Sequence, residues 1–289
     1  MRYSLATAAG KGHINEDLVQ VFERDGWTDI VLLDGATPLT DRRYIGAGAS
    51  DPAWFVRQFA ADLGAELRAG ASQEDQVQAA LARTRSAFDA AGGSADVPAW
   101  AWPIATLSWV RIHHPGASSD CRVELYCLGD SKVLLRRPDG SAVDLDPFDN
   151  PQEQVTQAAV AALVAEGVAD PAVRWERLLP MLRARRAEQN LAVPPYVLCV
   201  APRGPFAART AQVSVSVPAG ALLLVLSDGL YRLVDVYGLH SDASLLDACA
   251  ARGLDALLDD LRGFEARSAA AGLAAKAADD ASAVCWRFG

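Results

Sequence analysis

The chain has 289 residues, of which 51% are hydrophobic and 22% are charged, so it can bury a substantial core and is not an intrinsically disordered polypeptide. Its 27 Lys and Arg against 36 Asp and Glu give a formal net charge of −9, which excludes the basic surface needed for nonspecific binding to nucleic acid or to an anionic membrane. The N-terminus lacks the apolar core of a signal peptide, and no apolar run approaches the ~20 residues of a membrane span, so we expect a cytoplasmic protein.

The first third of the chain predicts three strands and two helices. The strands are expected at 2–8, 18–24 and 30–33. Asp51-Pro52 begins a helix in which apolar residues recur every four positions from Phe55 to Leu67, so they lie on one face. A second helix is expected at 74–88.

The middle of the chain predicts a β-rich block followed by helices. Strands are expected at 104–112, 121–127 and 132–137. The second of these alternates apolar and polar residues, as in a strand with one buried face, and Pro138-Asp139-Gly140 closes a hairpin after the third. Residues 151–190 are rich in Ala and Arg and predict helices that are broken at Pro171 and Pro180.

The last third predicts a return to strands, at 196–200, 213–217, 222–226 and 281–288, with two short helices around Leu245 and Leu257. Strands therefore come in runs separated by pairs of helices, without strict βαβ alternation. This order predicts an α+β layered sandwich of antiparallel sheets with helices packed outside. Because no linker divides the chain, residues 1–289 are expected to form one domain.

The five cysteines are odd in number and show no C-x-x-C spacing. They are Cys121, Cys127, Cys199, Cys249 and Cys285. Most lie inside apolar strand or helix patterns, which favours buried free thiols in a reducing compartment over disulfides or a zinc site.

Two apolar runs in this chain end abruptly in Asp-Gly: one precedes Asp34-Gly35, and the other precedes Ser227 and Asp228-Gly229. An unbroken apolar run is typical of a strand buried on both faces, and an unpaired carboxylate at its end is costly to bury. Each motif alone is compatible with an ordinary Asp-Gly turn. Together, two buried strands that deliver carboxylates to one end of a core indicate a site for a hard cation.

Three further acidic groups lie at element boundaries. Asn15-Glu16-Asp17 precedes a strand, Asp130 lies in the turn Gly129-Asp130-Ser131, and Asp279-Asp280 precedes the last strand. The candidate ligands are oxygen atoms, and no Cys or His residues stand at metal-binding spacing. This combination favours Mg²⁺ or Mn²⁺ over zinc or copper. Two such ions ~3.5–4 Å apart can hold a bridging hydroxide and clamp a phosphoryl group during in-line displacement.

These five motifs, in this order, resemble those of the metal-dependent type-2C protein phosphatases (the PPM family), and specifically a bacterial-like branch. The resemblance runs from about residue 2 to residue 288. It implies a four-layer α/β/β/α sandwich with a binuclear site at one edge of the sheets. It also implies hydrolysis of phosphoserine and phosphothreonine in protein substrates by a hydroxide that bridges two Mg²⁺ or Mn²⁺ ions.

The motif match assigns ligands to the two ions. Asp34 would bridge both ions, Asp228 and Asp279 would complete the first, and Glu16 with the Gly35 carbonyl would complete the second.

Three other acidic residues match less central positions. Asp130 corresponds to a residue that helps Asp228 to hold a looser third ion. Asp17 would orient ligands or bound water, and Asp280 stands where the family often has Asn and is left outside the metal ligands.

Two positions depart from the family pattern. Ala36 replaces a His that eukaryotic members carry after Asp-Gly, and Gly12 replaces an Arg that anchors the substrate phosphate in many members. Lys11 and His13 flank this gap and could supply a phosphate-binding cation and a general acid; a loop of solvated polar residues is the alternative. The departures leave open a second function, a weak or inactive family member that binds phosphoproteins as a regulatory module.

Two further features of the sequence bear on the site. The run Arg183-Ala184-Arg185-Arg186 would lie in the helical insertion at about 151–190, which forms a flap near the active site in this family; a solvated helix face is the alternative. A haloacid-dehalogenase-type phosphatase is disfavoured, because its chemistry needs a second Asp two residues from Asp34, and positions 32 and 36 are Leu and Ala.

Overall fold

A computed structural model describes residues 2–10, 14–45, 49–93, 96–114, 120–148, 150–192, 199–203, 213–270 and 278–289. Its ten strands are β1 (Tyr3–Ala8), β2 (Asp17–Arg24), β3 (Trp27–Gly35), β4 (Ala105–His113), β5 (Cys121–Leu128), β6 (Lys132–Arg136), β7 (Ala142–Asp144), β8 (Val213–Val217), β9 (Leu222–Leu226) and β10 (Ala281–Arg287). Its seven α-helices are α1 (Asp51–Glu66), α2 (Gln73–Ala90), α3 (Pro151–Ala165), α4 (Pro171–Leu191), α5 (Asp228–Tyr231), α6 (Asp242–Arg252) and α7 (Leu254–Ala270). A 3₁₀ turn lies at Ala99–Ala101.

The strands form two five-stranded sheets in which every pairing is antiparallel. One sheet has the order β1-β10-β9-β6-β7 and the other has the order β2-β3-β4-β5-β8. The helices α1 and α2 pack on the outer face of the second sheet, and α6 and α7 pack on the outer face of the first. The predicted α+β class and its four-layer α/β/β/α sandwich are therefore confirmed.

The two apolar runs are unbroken because both faces of their strands are covered. In β3, Ile30 and Leu32 contact the opposite sheet, whereas Val31 and Leu33 contact α1 and α2. The strand β9 is buried along its whole length in the same way. Successive side chains of a strand point to opposite faces, so a strand between two covered faces needs apolar residues at every position.

Most of the predicted elements are present, and the differences fall on prolines and element lengths. The predicted break at Pro180 is wrong, because this residue lies inside α4. Pro180 is exposed, so water can bind the Glu176 carbonyl that it deprives of a helical N–H donor. Pro171 does begin a helix, with Asp170 as its N-cap. The helix α7, expected to be short, has 17 residues.

The predicted strand at 196–200 falls mostly outside the described residues, but Val200 pairs with Ala105 in an isolated bridge. All five cysteines are buried free thiols, as predicted. Among the described residues no helix combines the length and the apolarity that crossing a membrane requires. That residues 1–289 form one domain stays a prediction.

The α3–α4 pair lies beside the edge of the sheets where β3 ends. The Arg183 guanidinium donates to the Leu39 carbonyl at 2.9 and 2.7 Å, and it stacks on Trp100. The Asn190 amide donates to the Ala99 carbonyl at 2.7 Å. These contacts attach α4 to the loop after β3 and to the 3₁₀ turn, which positions the helical insertion over the candidate site.

Candidate metal centre

The two Asp-Gly motifs meet at one edge of the sandwich. Asp34 lies at the end of β3 in one sheet, and Asp228 follows β9 in the other sheet. Both line a cleft of about 250 Å³, together with Asp130 and Asp279. The structure thus brings together four carboxylates that are separated by up to 245 residues in the chain.

The Asp34 and Asp228 carboxyl groups are coupled. Burial, followed by the charges of Asp17 and Asp228, raises the pKa of Asp34 well above its usual range. Burial, followed by the charge of Asp130, raises the pKa of Asp228 to about 7. The two groups also share a hydrogen bond, so the pair favours a bound proton near neutral pH unless a cation takes its place.

The chemistry of the cleft fits a hard divalent cation. Its acidic side chains offer oxygen donors, and the single thiol that lines it, that of Cys199, has a pKa raised to about 11 by burial. A protonated thiol is a poor ligand for Mg²⁺ or Mn²⁺, whereas carboxylates suit both ions. Among the described residues no three Asp, Glu, Cys or His side chains are gathered closely enough to enclose one ion by themselves.

Glu16 and Gly35 are held against each other by the backbone. The Gly35 N–H donates to the Glu16 carbonyl at 3.1 Å. A Cβ atom at position 35 would lie 2.7 Å from that oxygen, so only glycine allows the approach. The Glu16 side chain lines a neighbouring cavity of about 180 Å³ with Asp279 and Asp280. Asp279 lines both cavities and so connects the two groups of carboxylates.

Ser50 positions the Glu16 carboxylate. Its hydroxyl donates to Glu16 Oε1 at 2.5 Å and accepts from the Ala53 N–H at 3.1 Å, as the N-cap of α1. The N-cap could have been predicted from a serine directly before Asp51-Pro52. Its contact with a residue 34 positions earlier could not.

Asp280 joins two loops of the site. Its Oδ1 accepts from the Gly10 N–H at 2.7 Å and its Oδ2 accepts from the Glu16 N–H at 2.6 Å. Both oxygens of Asp280 therefore accept from backbone N–H groups. The sequence did not indicate this structural role.

Asp17 is buried beside the site and does not line the cleft. It faces Asp34 in the β2–β3 register, and its Oδ2 accepts from the Ser227 hydroxyl at 2.9 Å. Burial raises the pKa of Asp17 to about 6. Ser227 in turn exchanges hydrogen bonds with Ser282, so Asp17 supports the turn that carries Asp228.

Asp130 lies on the far wall of the cleft. The Asn150 side-chain amide, at the N-terminus of α3, donates to Asp130 Oδ2 at 2.6 Å. Asp130, Asp228 and Asp279 also line a groove of about 920 Å³ that extends between α3 and residues 231–236. The cleft therefore opens into a much larger surface depression.

Two predicted residues, Lys11 and His13, lie outside the described residues. Ala36 stands where the family pattern has a His that could act as an acid. Its N–H donates to the Ile104 carbonyl at 3.0 Å. Its side chain packs with Ile104, Cys199 and Ala201 in a small apolar cluster. None of the described residues in this cluster is an acid or base that titrates near neutral pH.

The arginine run of α4 faces the protein. Arg183 contacts the Leu39 carbonyl, and Arg185 Nε donates to Gln152 Oε1 at 2.6 Å. Arg186 lines the acidic cleft, and its Nη1 donates to the Thr37 carbonyl at 3.0 Å. All three arginines therefore donate to oxygens of described residues, and that the run belongs to a flap over the active site stays a prediction.

No family model and no curated protein matches this sequence, but solved structures do. The serine/threonine phosphatase PstP/Ppp of Mycobacterium tuberculosis aligns with 20% identity and a TM-score of 0.54, covering 99% of this chain and 98% of that one. The serine/threonine phosphatase of S. agalactiae aligns with 17% identity and a TM-score of 0.56, covering 99% of each chain. The PP2C phosphatase domain of SpoIIE from Bacillus subtilis aligns with 14% identity and a TM-score of 0.53, covering 99% of this chain and 62% of that one.

These similarities establish that the chain has the type-2C phosphatase fold, as the sequence motifs predicted. The catalytic domain of PstP was solved in complex with two manganese ions.

Proposed function

We propose that this chain is a metal-dependent phosphomonoester hydrolase that removes phosphate from phosphoserine and phosphothreonine in proteins. The observation that carries the proposal is the meeting of Asp34 and Asp228, one from each sheet, in a cleft that Asp130 and Asp279 also line. The type-2C phosphatase fold supports it, as does the presence of two manganese ions in the related PstP domain.

In this proposal Asp34 would hold both ions, as the motif match assigns; it lines the cleft with Asp228, and Gly35 directly after it contacts Glu16. Asp228 and Asp279 complete one site, and Glu16 with the Gly35 carbonyl completes the other. Bound Mg²⁺ or Mn²⁺ supplies Lewis-acid stabilisation of the phosphoryl oxygens and lowers the pKa of the attacking water. The protein contributes rigidity, since Glu16 is fixed by Ser50 and by the backbone contact of Gly35.

Asp130 and Asp17 take supporting roles in the proposal. Asp130, oriented by Asn150, helps Asp228 to bind a looser third ion. Asp17 holds the turn before Asp228 through Ser227.

The groove beside the cleft supports a macromolecular substrate. Its volume of about 920 Å³ exceeds what a phosphomonoester group needs, and it begins at the carboxylates themselves. An extended polypeptide segment that carries a phosphorylated side chain fits such an open groove. We place the reaction in the cytoplasm, because five free thiols suit a reducing compartment.

A second candidate function rests on the apolar wall around Ala36. Without a titratable group there, an alkyl leaving group lacks a nearby acid from this wall. The chain would then be a weak or inactive phosphatase that binds phosphoproteins in a regulatory role.

Turnover measurements separate the two functions. We expect hydrolysis of p-nitrophenyl phosphate and of a phosphoserine peptide with Mn²⁺ or Mg²⁺ and none with EDTA. Asp34→Asn and Asp228→Asn should each lower the rate by roughly 100-fold or more, as expected for groups that stabilise the transition state. Asp139→Asn, in the exposed turn between β6 and β7, is the control and should leave the rate unchanged.

Full activity in either active-site variant would overturn the assignment. Metal binding without hydrolysis of either ester would favour the regulatory function.

A further inference from the structure

Arg186 is a cation in an otherwise acidic cleft. Of the described residues that line this cleft, four are aspartates and Arg186 alone is basic. The side chain is partly buried, and burial lowers the pKa of its guanidinium. Arginine nevertheless stays protonated in proteins, so the cleft contains a permanent positive charge.

The guanidinium uses little of its hydrogen-bonding capacity. Nη1 donates to the Thr37 carbonyl at 3.0 Å, and no other hydrogen bond or ion pair joins Arg186 to a described residue. A guanidinium has five N–H donors, so the edge formed by Nε and Nη2 is left unpaired. Arg183 and Arg185 of the same helix, in contrast, both donate through Nε to the protein.

A purely structural role explains this arrangement poorly. Among the described residues Arg186 forms no ion pair with a carboxylate, although the charge of Glu16 favours its protonated form. Nε and Nη2 of Arg186 are not among the buried polar atoms without a partner in the described residues, so both donors can be reached from the cleft. An anion that enters the cleft would satisfy these donors, and the free edge of the guanidinium fork matches two oxygens of one phosphate group.

We propose that Arg186 binds the phosphate group of the substrate at the metal centre. This inference rests on the proposed function, which it extends with a substrate-binding residue. Thr37 follows the Asp34-Gly35 turn by two residues, so the hydrogen bond to its carbonyl ties the guanidinium to the segment directly after Asp34. The phosphate lies between the carboxylate-bound cations and the free edge of Arg186.

The test compares three variants of α4. Arg186→Ala removes the fork, Arg186→Lys keeps the charge without the fork, and Arg177→Ala removes an exposed arginine of the same helix that pairs with Glu166. Binding of inorganic phosphate to the Mn²⁺-loaded protein is measured by calorimetry, and KM is measured with the phosphoserine peptide. The increase in melting temperature on adding Mn²⁺ reports separately on the metal site.

Arg186→Ala should weaken phosphate binding and raise KM about 10- to 100-fold, the loss expected for one or two charge-assisted hydrogen bonds. Arg186→Lys should recover part of the loss, and Arg177→Ala should bind phosphate as the wild type does. All three variants should keep the stabilisation by Mn²⁺.

Unchanged phosphate affinity in Arg186→Ala with an intact response to Mn²⁺ would overturn the proposal, as would a wild-type protein that does not bind phosphate. If Arg186→Ala does not fold, Arg186→Lys decides, because wild-type affinity in that variant would exclude recognition by the fork. If the wild type binds phosphate through Arg186 and hydrolyses no ester, the catalytic function fails and the binding role of Arg186 stands.

Discussion

The coupled carboxyl groups of the candidate metal centre predict that the metal-free protein loses stability as the pH rises toward neutrality. Asp34 and Asp228 both have raised pKa values in the folded protein, chiefly because of burial. Folding raises the pKa of such an acid. At any pH between its unfolded and its folded pKa, the acid is mostly protonated in the folded protein and mostly ionised in the unfolded chain. Stability is then fully present below the unfolded pKa and is lost as the pH rises through the folded one.

The shift of Asp228, which it shares with the coupled Asp34, gives the order of magnitude of the effect. The pKa of Asp228 rises from 3.8 to about 7. This shift of about three units corresponds to ~4 kcal/mol of unfolding free energy, lost between about pH 4 and pH 7. An unfolding entropy of ~2.1 cal/mol/K per residue gives ~0.6 kcal/mol/K for 289 residues, so the melting temperature should fall by roughly 6–7 °C.

The assay is a series of thermal melts in EDTA from pH 4.5 to pH 7.5, for the wild type and for Asp228→Asn. The amide cannot ionise, so the variant should lose most of the pH-dependent stability that Asp228 contributes. Subtracting the melting temperatures of the variant from those of the wild type removes the effect of groups that titrate elsewhere in the protein. Millimolar Mn²⁺ at pH 7.5 should restore the melting temperature of the wild type, because a cation that binds only the folded state stabilises that state. The reasoning is refuted if both proteins show the same dependence on pH.

Three further outcomes are expected. Gly229→Ala should destabilise the protein by about 3 kcal/mol in urea unfolding, because a Cβ atom there would lie 1.8 Å from a backbone carbonyl oxygen; an unchanged midpoint would contradict this. Ser50→Ala and Ser72→Ala should each cost about 1 kcal/mol as lost N-caps, but only Ser50→Ala should reduce the stabilisation by Mn²⁺. Lys11→Ala should raise KM for a phosphopeptide, and His13→Ala should lower kcat for that substrate but not for p-nitrophenyl phosphate; equal losses on both esters would exclude the acid role of His13.

The sequence predicted the layered fold because burial on two faces leaves a distinct pattern. The segment 30–33 of β3 and the whole of β9 are apolar, and a carboxylate comes after each, Asp34 directly and Asp228 after Ser227. In both strands the apolar run and its carboxylate lie within a few residues of each other. Sequence patterns are informative over such short distances. The convergence of Asp34 and Asp228 followed from the same argument.

Other parts of the site depend on contacts between distant segments. Asp280 binds backbone groups 264 and 270 positions away, and an acidic pair before a strand gives no sign of such partners. Pro180 was read as a helix break because its ring removes a hydrogen bond, but exposure of that side of α4 makes the loss tolerable. In both cases the tertiary environment decided an outcome that local chemistry left open.

In the proposal that Arg186 binds the substrate phosphate, α4 shapes recognition while the carboxylates of the cleft stay fixed. The carboxylates come from strand ends and turns inside the sandwich, where packing and backbone hydrogen bonds hold them. The guanidinium comes from α4, which is attached outside the cleft by Arg183 at Leu39 and by Asn190 at Ala99. Changes at those attachment points would move the phosphate-binding donors without touching a metal ligand. Because a rigid scaffold preserves the reactive geometry while a peripheral element adjusts binding, we expect substrate preference in this chain to be set mainly by α4.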